Sequence, residues 1–114
     1  MFIKLIRASD HLIEAAVMKD VSAEHLPAFK EELYDLTIRV DARVVLNFSV
    51  VESICSRALG VLAVASWRLQ RGNGMLAVTE LNDNLLRLFR IAKLDRSMSV
   101  SGRTIETAEI SAAA

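Results

Sequence analysis

Val44-Val45-Leu46-Asn47-Phe48-Ser49-Val50-Val51-Glu52-Ser53-Ile54-Cys55-Ser56-Arg57-Ala58-Leu59-Gly60-Val61-Leu62 is the stretch on which the fold turns. Residues 44–48 form a short apolar, β-branched run, which predicts a strand buried on both faces. Residues 49–55 mix polar and apolar types and predict a loop. From Ser56 to about Gln70, Leu59, Leu62, Ala63, Ser66 and Leu69 recur at helical spacing and mark a buried side. Gly72-Asn73-Gly74 then ends the helix, because glycine readily supplies a left-handed C-terminal cap. A strand, a loop and a helix in that order are the first parts of a parallel βαβ unit.

Moving outward, the next strand is expected at residues 75–79, and Asn82 or Asp83 can cap a helix whose Leu85, Leu88, Phe89 and Ala92 face inward. Residues 98–100 suit a short last strand, and residues 104–112 a terminal helix. Upstream, residues 2–7 and 12–18 are apolar runs separated by Ser9-Asp10-His11, which reads as an antiparallel hairpin. Ser22 is placed to N-cap a helix carrying Leu26, Phe29, Leu33 and Leu36 in one stripe, and Asp41-Ala42-Arg43 closes that element. The order β-β-α-β-α-β-α-β-α predicts an α/β fold. It would be one layer of four to five mostly parallel strands with an antiparallel N-terminal edge strand, packed against three to four helices.

A chain of 114 residues suits one domain, here residues 1–114, and folding at that size hides roughly 65% of the unfolded surface. Its 53% hydrophobic content can fill a core, which excludes the disordered class. Lys plus Arg equal Asp plus Glu at 14 each, so no net field draws the chain to nucleic acid or an anionic membrane. Cys55 is the single cysteine, so neither an internal disulfide nor a thiolate metal cluster is expected, and a reducing, cytoplasmic setting fits best. Residues 1–7 are too short an apolar run for a signal peptide, and residues 58–67 cover about half of what spans a bilayer.

The quoted stretch resembles the central signature of the STAS domains of bacterial anti-sigma factor antagonists. That signature is a buried strand ending in Asp or Asn, a loop carrying Asp-Ser-Ser-Gly-Leu-Gly, and a helix. Asn47 matches the strand position, Ser56 the phosphorylated serine, and Leu59-Gly60 the helix start. Residues 68–78, with Gly72-Asn73-Gly74, resemble the family's helix end, glycine turn and fourth strand. Asn84-Leu85-Leu86-Arg87-Leu88-Phe89 with Leu94-Asp95 resembles its third helix and the Leu-Asp pair that follows. The departures lie in the switch itself: Cys55 stands for the family's Asp, Arg57 for a small residue, and Ala58 for a glycine.

The resemblance implies a STAS-like fold, a protein-binding module in place of an enzyme, and a partner that is an anti-sigma factor with serine kinase activity. Unmodified, the antagonist captures that kinase and frees the sigma factor; phosphorylation of Ser56 would undo the capture. Partner contacts would then involve Asn47, Ser53, Cys55, Ser56, Arg57 and Leu59. A second outcome is a STAS scaffold or transporter-accessory subunit without the switch, which the changes at positions 55–57 favour. Neither outcome calls for a cofactor, a metal, direct nucleic-acid binding or membrane insertion. Pairing of the apolar first strand with a second copy stays open.

The residues themselves carry two readings. A serine at a helix start commonly caps a backbone N–H, and the same position tolerates a phosphate through free N–H groups and the positive end of the helix dipole. A phosphate adds about −1.5 to −2 charges, so the surface changes while the shape persists. Arg57 can tune partner choice, neutralise part of that phosphate, or be a solvated side chain. Cys55 as a nucleophile would need a base, and only His11, in the predicted hairpin turn, and His25, in another helix, are available. Asn47 at the carboxyl end of a strand also fits the edge where open α/β sheets bind small ligands. No phosphate-cradling loop is present, since Gly72-Asn73-Gly74 follows a helix and does not open one. Trp67 and Met75 read as core or groove packing. Arg68, Arg71, Arg87, Arg90 and Arg96 read as solvated helix faces, with Arg87 and Arg90 also suited to a docking surface.

Overall fold

The computed structural model describes residues 1–38 and 41–103. The hairpin forms as expected: β1 (Ile3–Ala8) pairs antiparallel with β2 (Leu12–Val17), with a bulge between Leu5 and Arg7. Next come α1 (Leu26–Leu36), β3 (Arg43–Asn47), α2 (Ser56–Arg71), β4 (Met75–Leu81) and α3 (Asp83–Ile91). A 3-10 turn at Leu94–Arg96 and β5 (Ser99–Gly102) complete the described elements. The sheet order is β1-β2-β3-β4-β5, with every pairing after the first one parallel. The α/β fold read from the sequence is therefore the fold observed. The predicted terminal helix at residues 104–112 lies outside the described residues.

β2, β3 and the first five residues of β4 alternate. Ile13, Val44 and Leu76 stand side by side across β2, β3 and β4, as do Ala15, Leu46 and Val78, and all six are buried. These residues share one face, and Phe29 and Leu33 of α1, Leu62 and Leu69 of α2, and Phe89 of α3 join them in one core. Fully burying a Leu or Phe side chain is worth about 1.5–3 kcal/mol. Phe48, just past β3, meets Phe89 edge to face at 6.3 Å and ties α3 to the centre of the sheet.

The expectation that the strand at residues 44–48 is buried on both faces is corrected. Its other face carries Arg43, exposed, and Val45 and Asn47, half-buried, beside Glu14 and Ala77. The helices pack on the first face, so β-branched residues on the second are there for strand propensity. Three smaller expectations also change. Ser22 does not cap α1: its carbonyl accepts the His25 N–H at 3.1 Å in a separate turn, and His25 takes the cap position with no side-chain bond to the helix N–H groups. The left-handed residue after α2 is Asn73, at φ 68°, and not a glycine; Gly74 N–H closes the turn on the Leu69 carbonyl at 2.7 Å. Ala92 faces solvent because α3 stops at Ile91 and Lys93 turns left-handed, which hands the inward place to Leu94.

Candidate functional site

The carboxyl ends of β3 and β4 bring together the loop at residues 48–55, the start of α2 and the start of α3. Asn47 begins the loop by folding its side chain onto it: Oδ1 accepts the Ser49 N–H at 2.8 Å, an Asx turn. Val51 is buried, and its N–H returns to the Phe48 carbonyl at 3.0 Å. The far end of the loop is stitched to the chain after β2, where Val21 and Ile54 form a parallel bridge and Cys55 N–H donates to the Val21 carbonyl at 2.8 Å.

Three side chains from distant elements hold the middle. Asp20 accepts the Glu52 N–H at 2.7 Å and the Ser53 hydroxyl at 3.2 Å. The Glu52 N–H is the main cause holding the Asp20 carboxyl below its ordinary value; burial opposes it more weakly, and the two Ser53 donors each add a smaller lowering effect. Asn82 caps α3 by accepting the Leu85 N–H at 2.8 Å, while its Nδ2 donates to both the carbonyl and the carboxylate of Glu52 at 3.1 Å. Arg103 donates to the Val51 carbonyl at 3.2 Å and the Glu80 carbonyl at 3.3 Å, and its Nη2 lies 3.7 Å from the Glu52 carboxylate. Glu80 itself sits at φ 61°, a left-handed position a non-glycine residue holds only when its surroundings enforce it.

The start of α2 follows from this clamp. Cys55, half-buried against the core, has the extended cap conformation (φ −73°, ψ 156°) but makes no side-chain cap bond. Ser56 is the first helical residue, not the cap; its hydroxyl makes no hydrogen bond among the described residues, and both it and Arg57 are exposed. Ala58 is buried, and Leu59, at 9% exposure, belongs to the core under the loop and not to its surface. Of the six residues singled out in the sequence, Asn47, Ser53, Cys55, Ser56 and Arg57 gather along the loop and helix start, with Leu59 beneath. The sequence alone marks none of Asp20, Glu52 and Arg103, and it marks Asn82 only as a cap. No local spacing could reveal them, since their clamp partners lie 23 to 52 residues away.

The two histidines stand apart from Cys55 in their contacts. His11 pairs with Asp41 at 3.5 Å at the opposite edge of the sheet, and His25 lies against the Phe2 ring and the Ser22 hydroxyl. Among the described residues no group of three His, Cys, Asp or Glu is arranged to hold a metal, and no helix is long and apolar enough to cross a membrane.

Residues 6–109 match the family model of the STAS domain. No curated protein matches the sequence. Solved structures similar to this one include a Thermotoga maritima protein assigned as an anti-sigma factor antagonist. It is 24% identical over 90% of this chain and 89% of its own, with a TM-score of 0.73. An anti-sigma factor antagonist from Mycobacterium paratuberculosis is 19% identical over 87% of this chain and 85% of its own, TM-score 0.73. The Bacillus cell fate determinant SpoIIAA in its phosphorylated form is 9% identical over 95% of this chain and 98% of its own, TM-score 0.66. At these identities the likeness carries the fold.

Proposed function

The chain belongs to the STAS domain family, and from that premise we propose that it is an anti-sigma factor antagonist: a single-domain, cytoplasmic binding module, not an enzyme, that sequesters an anti-sigma factor kinase. The reading is supported by the antagonists among its structural relatives, one of which, SpoIIAA, has been solved both unphosphorylated and phosphorylated. Phosphorylation of Ser56 is the switch. The observation that carries it is the hydroxyl of Ser56, exposed in the first turn of α2 and not spent on capping the helix. A phosphate there would meet the free N–H groups of the helix start, so the fold would tolerate it while the docking surface gained about −1.5 to −2 charges. Ser53, Cys55 and Arg57 would flank the partner, with Asn47 and Leu59 shaping the loop from behind.

The first experiment is intact-mass analysis of the protein from its native cells, followed by sequencing of the modified peptide. A stoichiometric phosphate on Ser56 is expected in one state of the pathway, and a Ser56→Asp variant should keep its fold and lose the co-purifying anti-sigma factor. If Ser56 is unmodified in both pathway states, the switch is wrong. A non-switching scaffold or transporter-accessory role then takes its place, the reading that Arg57 favours by offsetting part of any phosphate charge beside it.

A further inference from the structure

The outer side of α2 does not look like a solvated helix face. Arg57, Gly60, Val64, Trp67 and Arg71 recur there at three- and four-residue spacing, and all are exposed. Val64 is 40% exposed and Trp67 56%, whereas a face turned only to water would carry polar residues. A Cβ added at Gly60 would meet nothing within 4 Å, so the helix is open to close approach there.

The lower half of this stripe forms one wall of a groove of about 440 Å³, with Tyr34, Thr37 and Ile38 opposite. Two guanidinium groups are stacked on its aromatic rings: Arg68 lies 4.2 Å from the Tyr34 centroid, and Arg71 4.8 Å from the Trp67 centroid. Lys30 adds a third cation 5.7 Å from the Tyr34 ring. None of the three makes an ion pair or side-chain hydrogen bond among the described residues, and the neighbouring acids Glu31 and Asp35 do not reach them. Stacking occupies the flat faces of the guanidinium groups and leaves their N–H edges free, which is the pre-organised form in which arginine takes a carboxylate through two bonds. The groove therefore offers fixed donors for carboxylates beside an apolar floor, in a chain whose overall charge is zero.

We infer that this groove is a second docking surface, for an acidic segment of a partner protein. An apolar side chain of the segment rests on Trp67 and Ile38, and its carboxylates meet Arg68 and Arg71. The site is separate from the Ser56 end of α2: eleven residues of helix set Trp67 about 16 Å from Ser56. It does not depend on the phosphorylation switch.

Trp67 is the only tryptophan of the chain, so its emission reports on the groove directly. The probe is a synthetic fifteen-residue peptide with leucines at three- and four-residue spacing and glutamates between them. Titrated into the full chain, it should give a saturable blue shift. Affinity should fall at least about tenfold when the glutamates are replaced by glutamine, or in the Arg68→Glu, Arg71→Glu double variant. Both positions are exposed; the Arg68→Gln, Arg71→Gln pair, with folding checked by circular dichroism, serves as the milder test. Ser56→Asp should leave the titration unchanged. Absence of a saturable shift, or equal affinity in the charge-reversed protein, overturns the inference. So does a shift produced equally by inorganic phosphate alone, which would mark a small-anion site. An emission shift that follows protein concentration without peptide also overturns it, since a second copy would then fill the groove.

Discussion

At the carboxyl edge of the sheet, the loop before α2 is tied down by side chains from three other parts of the chain: Asp20 after β2, Asn82 after β4 and Arg103 after β5. At the opposite edge, the hairpin turn and the entry to β3 carry backbone bonds, Ser9 N–H to Leu12 carbonyl at 2.8 Å and Arg43 N–H to His11 carbonyl at 2.8 Å, with an exposed contact between His11 and Asp41 beside them. Backbone bonds close turns for almost any sequence. Side-chain bonds to one loop specify which residues must stand where; at the edge of the candidate site three segments converge on a single loop, whereas at the opposite edge such bonds hold the turn before β5, where Ser66 and Gln70 of α2 donate to the Ser97 carbonyl. The contrast teaches where the molecule spends specificity on holding a shape, and it can be broken one residue at a time.

The largest effect is expected from Asn82→Ala. It removes the cap of α3, typically worth about 1 kcal/mol, and both donations to Glu52. A total loss of about 2 kcal/mol should appear as a lower urea midpoint with an unchanged slope. Next comes Arg103→Ala. The guanidinium is largely buried, at 21% exposure, and bonds two carbonyls on separate segments. Its removal should cost about 1–2 kcal/mol. Hydrogen exchange at Val51, Glu52 and Ser53 should accelerate, while the turn at Leu12 keeps its protection. Equal acceleration at both edges would mean the loop has no local clamp.

Asp20 gives a smaller effect with a defined sign. Its carboxyl is held below the ordinary value of 3.8. A depressed folded value means the carboxylate contributes stability that is fully present above the unfolded value. That contribution is lost as pH falls through about 4 and then through the lower folded value. Asp20→Asn should therefore be less stable than the parent at pH 7 and approach it in acid, measured by urea denaturation at a series of pH values. A difference that is constant with pH would remove the carboxylate from the clamp.

Much of this architecture was legible locally. Leu59, Leu62, Ser66 and Leu69 announce α2 through their spacing, and the apolar run at residues 44–48 announces β3, because a helix or strand needs only neighbours to betray its period. Which face of β3 is covered was not legible. Val44 and Val45 are the same residue type, and only the placement of the helices distinguishes them. Ser22 has the right type for a cap, yet the turn to His25 starts the helix three residues later. The gathering of Asn47, Ser53, Cys55, Ser56 and Arg57 followed from their adjacency in sequence. The clamp did not, because Arg103 meets Val51 across 52 residues and nothing near either one signals the other.

The smallest effect is expected at the opposite edge. His11 and Asp41 stand 3.5 Å apart, but their side chains are 78% and 59% exposed, so water and salt screen the pair and both side chains lose rotamer freedom in holding it. His11→Ala keeps the backbone carbonyl that receives the Arg43 N–H, and that bond sets the register between the hairpin and β3. The variant should change stability by less than about 0.5 kcal/mol and leave exchange at the Ser56 edge untouched. A loss as large as that from Arg103→Ala would mean that an exposed pair on a backbone-closed turn specifies structure as strongly as the clamp does. The two edges would then differ in their contacts but not in how they hold the fold.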